Sequence, residues 1–228
     1  MTHFFGHTFL ENRMGKKGST FALGMALFGL AVILALGGYR YATEQEEFKA
    51  VLCACVAALY GLWILSEFRV TVGETGKDSA DDKGTCEAYA IGRLLTVLCA
   101  LGFESLWRSP GAWLPLGMLF FGGGIALRSY AILTLDKCYS HRVRAPQANT
   151  IIADGPYRYL RHPAYAGMLL AHAGILILFF NWFLLLAFFG IFIPVLVRRI
   201  RVEESYLLQM PEYRAFATGR ARLAPGIW

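Results

Sequence analysis

Residues 163–200 read PAYAGMLLAHAGILILFFNWFLLLAFFGIFIPVLVRRI, and the way this run divides decides the fold. A helix needs roughly 20 mostly apolar residues to cross the hydrocarbon of a bilayer. The run is too long for one crossing and breaks naturally at Asn181-Trp182, so it reads as two helices in a tight hairpin. Charge flanks it on both sides: Arg161-His162 lies before the first helix, and Arg198, Arg199, Arg201, Glu203 and Glu204 end the second. Polar groups this close to lipid are costly, and their placement implies a polar site built at the membrane face.

Working outward, residues 20–41, 48–66, 88–107 and 113–135 form four more apolar runs of spanning length, giving about six spans. The whole chain agrees, with 56% hydrophobic residues, 17% charged and a mean hydropathy of +0.46. Soluble domains carry roughly 25% charged residues. The expected fold is therefore an all-α, polytopic transmembrane helix bundle. It forms one structural domain, with three N-terminal spans of unassigned role (1–111) and a membrane core that carries the Arg-His-Pro and Glu-Glu motifs (112–228).

Loop charge orients it. With the N-terminus in the cytoplasm, 17 of the 22 Lys and Arg fall in inside segments or at their boundary, and only Arg40, Lys49 and Arg108 fall outside. This positive-inside bias puts both termini and every unusual polar motif on the cytoplasmic side of a multi-pass membrane protein. The net charge of +6 does not signal nucleic acid, because the basic residues lie between apolar runs. Arg13, Lys16 and Lys17 before the run 21–38 resemble a signal peptide, but the run is longer than a typical h-region and lacks a clear cleavage site, which favours an uncleaved anchor.

Several chemistries are unsupported. The five cysteines form no CxxC pair or zinc spacing, so no metal site is expected. P-loop, HExxH, nucleophile-elbow and Rossmann patterns are missing, as are the matched Gly/Pro breaks of transporter halves. Gly122-Gly123-Gly124 at mid-span suits close approach of a neighbouring helix.

The candidate site is read from five places. Arg128, inside the fourth span, either faces the bundle interior or snorkels to the interface. Residues 149–157, NTIIADGPY, read as a short extended piece and a turn whose main chain could recognise a purine edge or an amino-acid moiety. His162-Pro163 opens the fifth span, so the N–H groups of Ala164 and Tyr165 offer an anion site. His162 by itself could equally be an N-cap. Arg199 and Glu203, four residues apart, share a helix face; Arg199 cannot neutralise both Glu203 and Glu204, which leaves one carboxylate for a hydroxyl or a cation. Residues 205–217, with Tyr206, Leu207, Met210, Tyr213 and Phe216, are expected to lie along the interface and could lid the site.

GPYRYLRHPAYAG at 155–167, followed by Arg199, Glu203-Glu204, Tyr213 and Pro225, resembles the isoprenylcysteine carboxyl methyltransferase family of integral-membrane methyltransferases, related to phospholipid N-methyltransferases. The likeness runs from Gly124 to the C-terminus. It implies S-adenosyl-L-methionine as methyl donor, held on the cytoplasmic side. Carried over by position, cofactor contacts fall on Arg144, Asn149, Thr150, Ile151, Ile152, Tyr157, His162, Pro163, Ala164, Tyr165 and Glu203, with Arg161 beside them. Arg199 matches an arginine that faces the methyl acceptor and Arg128 a second near it. Arg144 departs from the family, which often has Gln there. The implied acceptor is lipophilic, most simply a prenylated cysteine carboxylate entering from the bilayer among membrane lipids. A phospholipid amine or small thiol is the alternative, and an amine would need a base such as Glu204 or His162. Outside this class stand a non-enzymatic membrane protein or transporter and a nicotinamide-dependent membrane reductase.

Overall fold

Asn181 breaks the long apolar run as expected. Its backbone is extended, and its side-chain Oδ1 accepts from the Leu184 N–H at 2.9 Å, capping a new helix. The computed structural model describes residues 4–73, 84–136, 151–226 and 228, with side chains described from residue 23 and not over 69–73. The helices are α1 (Phe4–Thr43), α2 (Glu47–Gly73), α3 (Thr85–Gly102), α4 (Trp113–Leu135), α5 (Pro163–Leu178), α6 (Trp182–Leu207) and the short α7 (Pro211–Ala217). A 3₁₀ turn covers Gly155–Arg158, and no strand occurs among the described residues, only an isolated bridge between Leu160 and Ala221.

Five of these helices are long and apolar enough to cross a membrane: α1 over Leu23–Thr43, α2 over Glu47–Phe68, then α3, α4 and α6. The sixth apolar helix, α5, has only 16 residues, about 24 Å of rise. A polar segment of the chain covers its start, where Arg161 and His162 pair with Ala221 and Arg222 through the main chain.

The chain divides into two compact units. In the first, α2 packs on α1 where Gly37 meets Ala57 and Gly61 faces Leu30 and Leu34. The second holds α3 to α7. The third helix, grouped by sequence with the first two, thus packs in the same unit as the motif-bearing helices.

That unit is organised by the antiparallel pair α4 and α5. Gly124 lies against the backbone of Gly167 and Ala171, and Gly174 against that of Gly117 and Phe121, two close approaches seven residues apart on each helix. Small residues let backbones touch and gain dispersion contacts where lipid supplies no hydrophobic drive. The glycine triplet does this with one member only: a Cβ at Gly122 or Gly123 would meet nothing within 4 Å.

In α6 the hydrogen-bond ladder widens to a π turn over Ala187–Phe192. Such single π turns are uncommon and frequent near functional sites. Here Phe192 is fully buried, stacking on His172 of α5 at 4.6 Å and on Tyr89 of α3 at 6.1 Å. Arg199, two turns on, follows on the same face. At the other end of the unit Trp107 stacks on Trp113 at 5.4 Å and Phe103 on Phe183 at 4.1 Å, an aromatic belt of the kind found at membrane interfaces.

Candidate functional site

Pro163 starts α5, and His162 occupies its N-cap position without capping it. The imidazole turns instead to the end of α6, where its Nε2 lies 3.3 Å from Glu204 Oε1. Arg161 Nη1 reaches the same oxygen at 3.3 Å, and Arg222 Nε donates to Glu204 Oε2 at 2.6 Å. Glu204 is buried, and three basic side chains converge on it. Both of its oxygens are engaged, so it is poorly placed to take a proton from a substrate.

Arg222 sits on the segment after α7, and nothing in the sequence reading pointed to it. This segment runs parallel to the Arg-His-Pro element. Arg161 N–H donates to Ala221 O at 2.8 Å, His162 N–H to Arg222 O at 3.0 Å, and Arg161 Nε to Arg220 O at 2.8 Å. The chain then folds back so that Arg222 N–H reaches Trp228 O at 2.8 Å, with the guanidinium 5.0 Å from the indole centroid. This strap is the polar segment over the start of α5. Arg222→Ala is expected to lower stability by about 2 kcal/mol, the scale of a hydrogen bond to a charged group, with Arg222→Lys recovering part of it; melting of the detergent-solubilised protein reads both.

A second cluster lies one turn further along α5. The Tyr165 hydroxyl donates to Glu203 Oε2 at 2.8 Å and accepts from Arg199 Nε at 2.8 Å. Arg199 Nη1 donates to Thr85 Oγ1 at 3.0 Å, and its guanidinium lies 5.7 Å from the Tyr89 ring and 5.8 Å from the Tyr165 ring. Two hydroxyls and two aromatic faces hold one cation. Arg199 and Glu203 are therefore linked through a phenol contributed by another helix, which their spacing alone could not show. Thr85 and Tyr89 were missed as well; their i,i+4 spacing at the start of α3 was the available signal.

Arg128 faces inward. It is 1% exposed and its Nη1 donates to Ala164 O at 3.3 Å, which rules out the snorkelling alternative. The anion site expected at the start of α5 is half closed, because Tyr165 N–H donates to His162 O at 3.1 Å.

Tyr157, Ala164, Tyr213, Phe216 and Ala217 pack with Ala131 into one buried cluster, with Ile151, Ala153, Leu135, Leu207, Leu208 and Met210 around it. So α7 is a wall of the site rather than a helix lying only along the interface. Gly155 takes a left-handed φ of 55°, and a Cβ there would press on the Tyr130 and Thr134 side chains at 3.0 Å; glycine meets both demands. Burial pushes the Tyr213 phenol up from its ordinary pKa, and the Glu203 and Glu204 charges add to this, so it stays neutral. Pro163 is buried at the same end and Ile152 half-buried. Arg144, Asn149 and Thr150 lie outside the described residues.

Residues 116–209 match the model of the Isoprenylcysteine carboxyl methyltransferase (ICMT) family. Protein-S-isoprenylcysteine O-methyltransferase B of Arabidopsis thaliana is 28% identical over 130 residues, 53% of this chain and 64% of that protein. Protein-S-isoprenylcysteine O-methyltransferase of Schizosaccharomyces pombe is 33% identical over 95 residues, 41% of this chain and 39% of that protein. The matches thus span less than two thirds of these curated relatives. A solved structure of a eukaryotic intramembrane Ras methyltransferase, isoprenylcysteine carboxyl methyltransferase, superposes with a TM-score of 0.56 at 17% identity, covering 99% of this chain and 88% of that one. At that identity it shows the fold alone. The family resemblance read from the sequence is borne out, and so is the membrane helical fold.

Proposed function

From this family match over residues 116–209, we propose that the chain is an integral-membrane methyltransferase that moves a methyl group from S-adenosyl-L-methionine to a lipophilic, anionic acceptor of the isoprenylcysteine carboxylate type. The observation that carries the reading is the Tyr165 hydroxyl, 2.8 Å from both Glu203 and Arg199. One phenol joins the carboxylate assigned to the donor to the arginine assigned to the acceptor, and transfer requires those two half-sites to adjoin.

The donor set suits a sulfonium nucleoside. Glu203 is half-buried with one oxygen accepting from Tyr165, and its second oxygen suits a ribose diol or an ammonium. His162 supplies a ring nitrogen beyond the one facing Glu204, and the residues around Tyr157 and Ala164 supply apolar walls. The bound donor supplies an electrophilic methyl on a sulfonium. Everything else falls to the protein: alignment of the acceptor and exclusion of water. Arg199, restrained by Thr85, Tyr165 and two rings, holds its charge in one direction and can orient a carboxylate bidentately. Arg128, buried one helix away, adds positive potential. With Glu204 engaged by three basic groups, an acceptor already anionic fits better than an amine needing a base. Arg161 holds Glu204 and the strap, and Arg144, Asn149 and Thr150 remain proposed donor contacts. The positive-inside bias supports cytoplasmic termini and a cytoplasmic-side site. In this reading the division at residue 112 is one of role, although Thr85 and Tyr89 bring α3 into the site.

Purified protein should bind S-adenosylhomocysteine in isothermal titration. His162→Ala and Glu203→Ala are each expected to weaken that binding by about tenfold or more, the equivalent of one charge-assisted hydrogen bond. Arg199→Ala should leave it within about twofold while lowering methyl incorporation into a prenylated cysteine by about a hundredfold. Loss of binding in Arg199→Ala with none in His162→Ala would invert the two assignments, and no binding by the unaltered protein would end the proposal.

A further inference from the structure

Tyr213 is the one residue of the buried cluster whose chemistry the structure leaves unfinished. It lies on α7 with 5% of its surface exposed, and its hydroxyl has no hydrogen-bond partner among the described residues. Buried hydroxyls in folded proteins are almost always bonded, and leaving one unmade costs about 1–3 kcal/mol. A phenylalanine would fill the same space without that cost. The ring itself is well accommodated, at 5.4 Å from Phe216 in a tilted pair and packed with Tyr157 and Ala164.

We propose that the Tyr213 hydroxyl is a donor-site contact that hydrogen-bonds the purine base of the nucleoside. The inference rests on the methyl-donor reading above and deepens it. Its surroundings select the kind of group. Ala131, Tyr157, Ala164, Phe216 and Ala217 form the cluster, and Ile151, Leu135 and Leu207 pack against it, all aliphatic or aromatic. A charged ligand group placed against these walls would lose its hydration, and the nearby Arg161, Arg222 and Glu204 already neutralise one another. A flat neutral heterocycle would keep its dispersion contacts and needs only a matching polar atom at its edge. The phenol can donate to a ring nitrogen or accept from an amino group. Arg161, Arg222, Glu203 and Glu204 are the charged groups near the phenol. The first two and Glu204 are engaged with one another, so none of those three competes for the base. The charged amino-acid end of the donor is left to the polar side of the site, at His162 and Glu203.

Tyr213→Phe separates this role from a packing role, because the two move ligand-free stability in opposite senses. Removing an unbonded hydroxyl should leave the melting temperature of the ligand-free protein unchanged or raise it. The same substitution should weaken S-adenosylhomocysteine binding by about fivefold, the scale of one neutral hydrogen bond. Methylthioadenosine, which keeps the base and ribose but lacks the amino-acid end, should lose the same factor. Tyr213→Leu, which also removes the ring, should weaken both ligands further. Arg198→Gln, on an exposed part of α6, should leave both affinities unchanged. Two results would overturn the proposal: Tyr213→Phe with unaltered affinity for both ligands, whatever its melting temperature, or a loss confined to S-adenosylhomocysteine, which would move the hydroxyl to the amino-acid end. If the unaltered protein binds neither ligand, the donor reading itself falls. Binding by the unaltered protein with no difference in Tyr213→Phe removes only this contact.

Discussion

Glu204→Ala is expected to lower the stability of the solubilised protein by about 3 kcal/mol, within the range for breaking a buried ion pair by deleting one partner. The carboxylate is buried and is met by Arg161, His162 and Arg222. Deleting it removes the common partner of three basic groups and leaves a void beside them. Two of these partners are part-exposed, at 20% and 31% of their side chains, which moderates the penalty because water can rehydrate them. Donor-site binding should fall as well, since His162 loses the group that orients its ring and the strap loses its anchor. Glu204→Gln keeps the shape and one acceptor, and should lie between the two. Thermal melts with S-adenosylhomocysteine titration provide both readouts. A Glu204→Ala protein that melts and binds like the unaltered one would mean that the three-way contact does not hold the site.

Gly124→Leu should disrupt the protein at least as severely, by a different route. A Cβ at that position would overlap the backbone of Ala171 and lie 2.6 Å from Gly167 O. Backbone cannot swing aside as a side chain can, so α4 and α5 must separate. Overpacking a core by side-chain crowding costs about 1–3 kcal/mol, and displacing a whole helix costs more. The separation also carries Arg128 away from Ala164 O, so cofactor binding and turnover should be lost together with fold. Gly122→Ala and Gly123→Ala supply the contrast. Both positions are open, and replacing a mid-helix glycine with alanine gains up to about 1 kcal/mol in helix propensity. If all three variants expressed and melted alike, the close packing of α4 on α5 would be refuted.

The contrast within one glycine triplet shows where sequence reading stops. GlyGlyGly in an apolar helix announces a close approach, but only the rotation of α4 about its axis selects Gly124 for it, and that rotation depends on Gly117, Gly167 and Gly174 at the same time. The Arg199–Glu203 spacing was similarly correct about the shared face and silent about Tyr165, which enters from α5 and replaces a direct pair with a phenol bridge. The sequence leaves one carboxylate of the Glu203-Glu204 pair available and offers Glu204 as a base for an amine acceptor; Arg222, eighteen residues further along the chain, takes up the second oxygen of Glu204.

By itself the sequence determined what depends on local composition and short spacing. Apolar run length requires helices in a bilayer, Asn181 must interrupt them, and Arg-His-Pro with a following carboxylate pair marks the polar end. Those follow from the cost of exposing backbone and charge to hydrocarbon, which each segment meets alone. Tertiary structure alone decided the partners: Thr85 and Tyr89 for Arg199, Arg222 for Glu204, and an apolar cluster around an unbonded Tyr213 hydroxyl. Hydrogen bonds and desolvation act over a few ångströms between residues far apart in the chain, so they are specified only once the helices have packed.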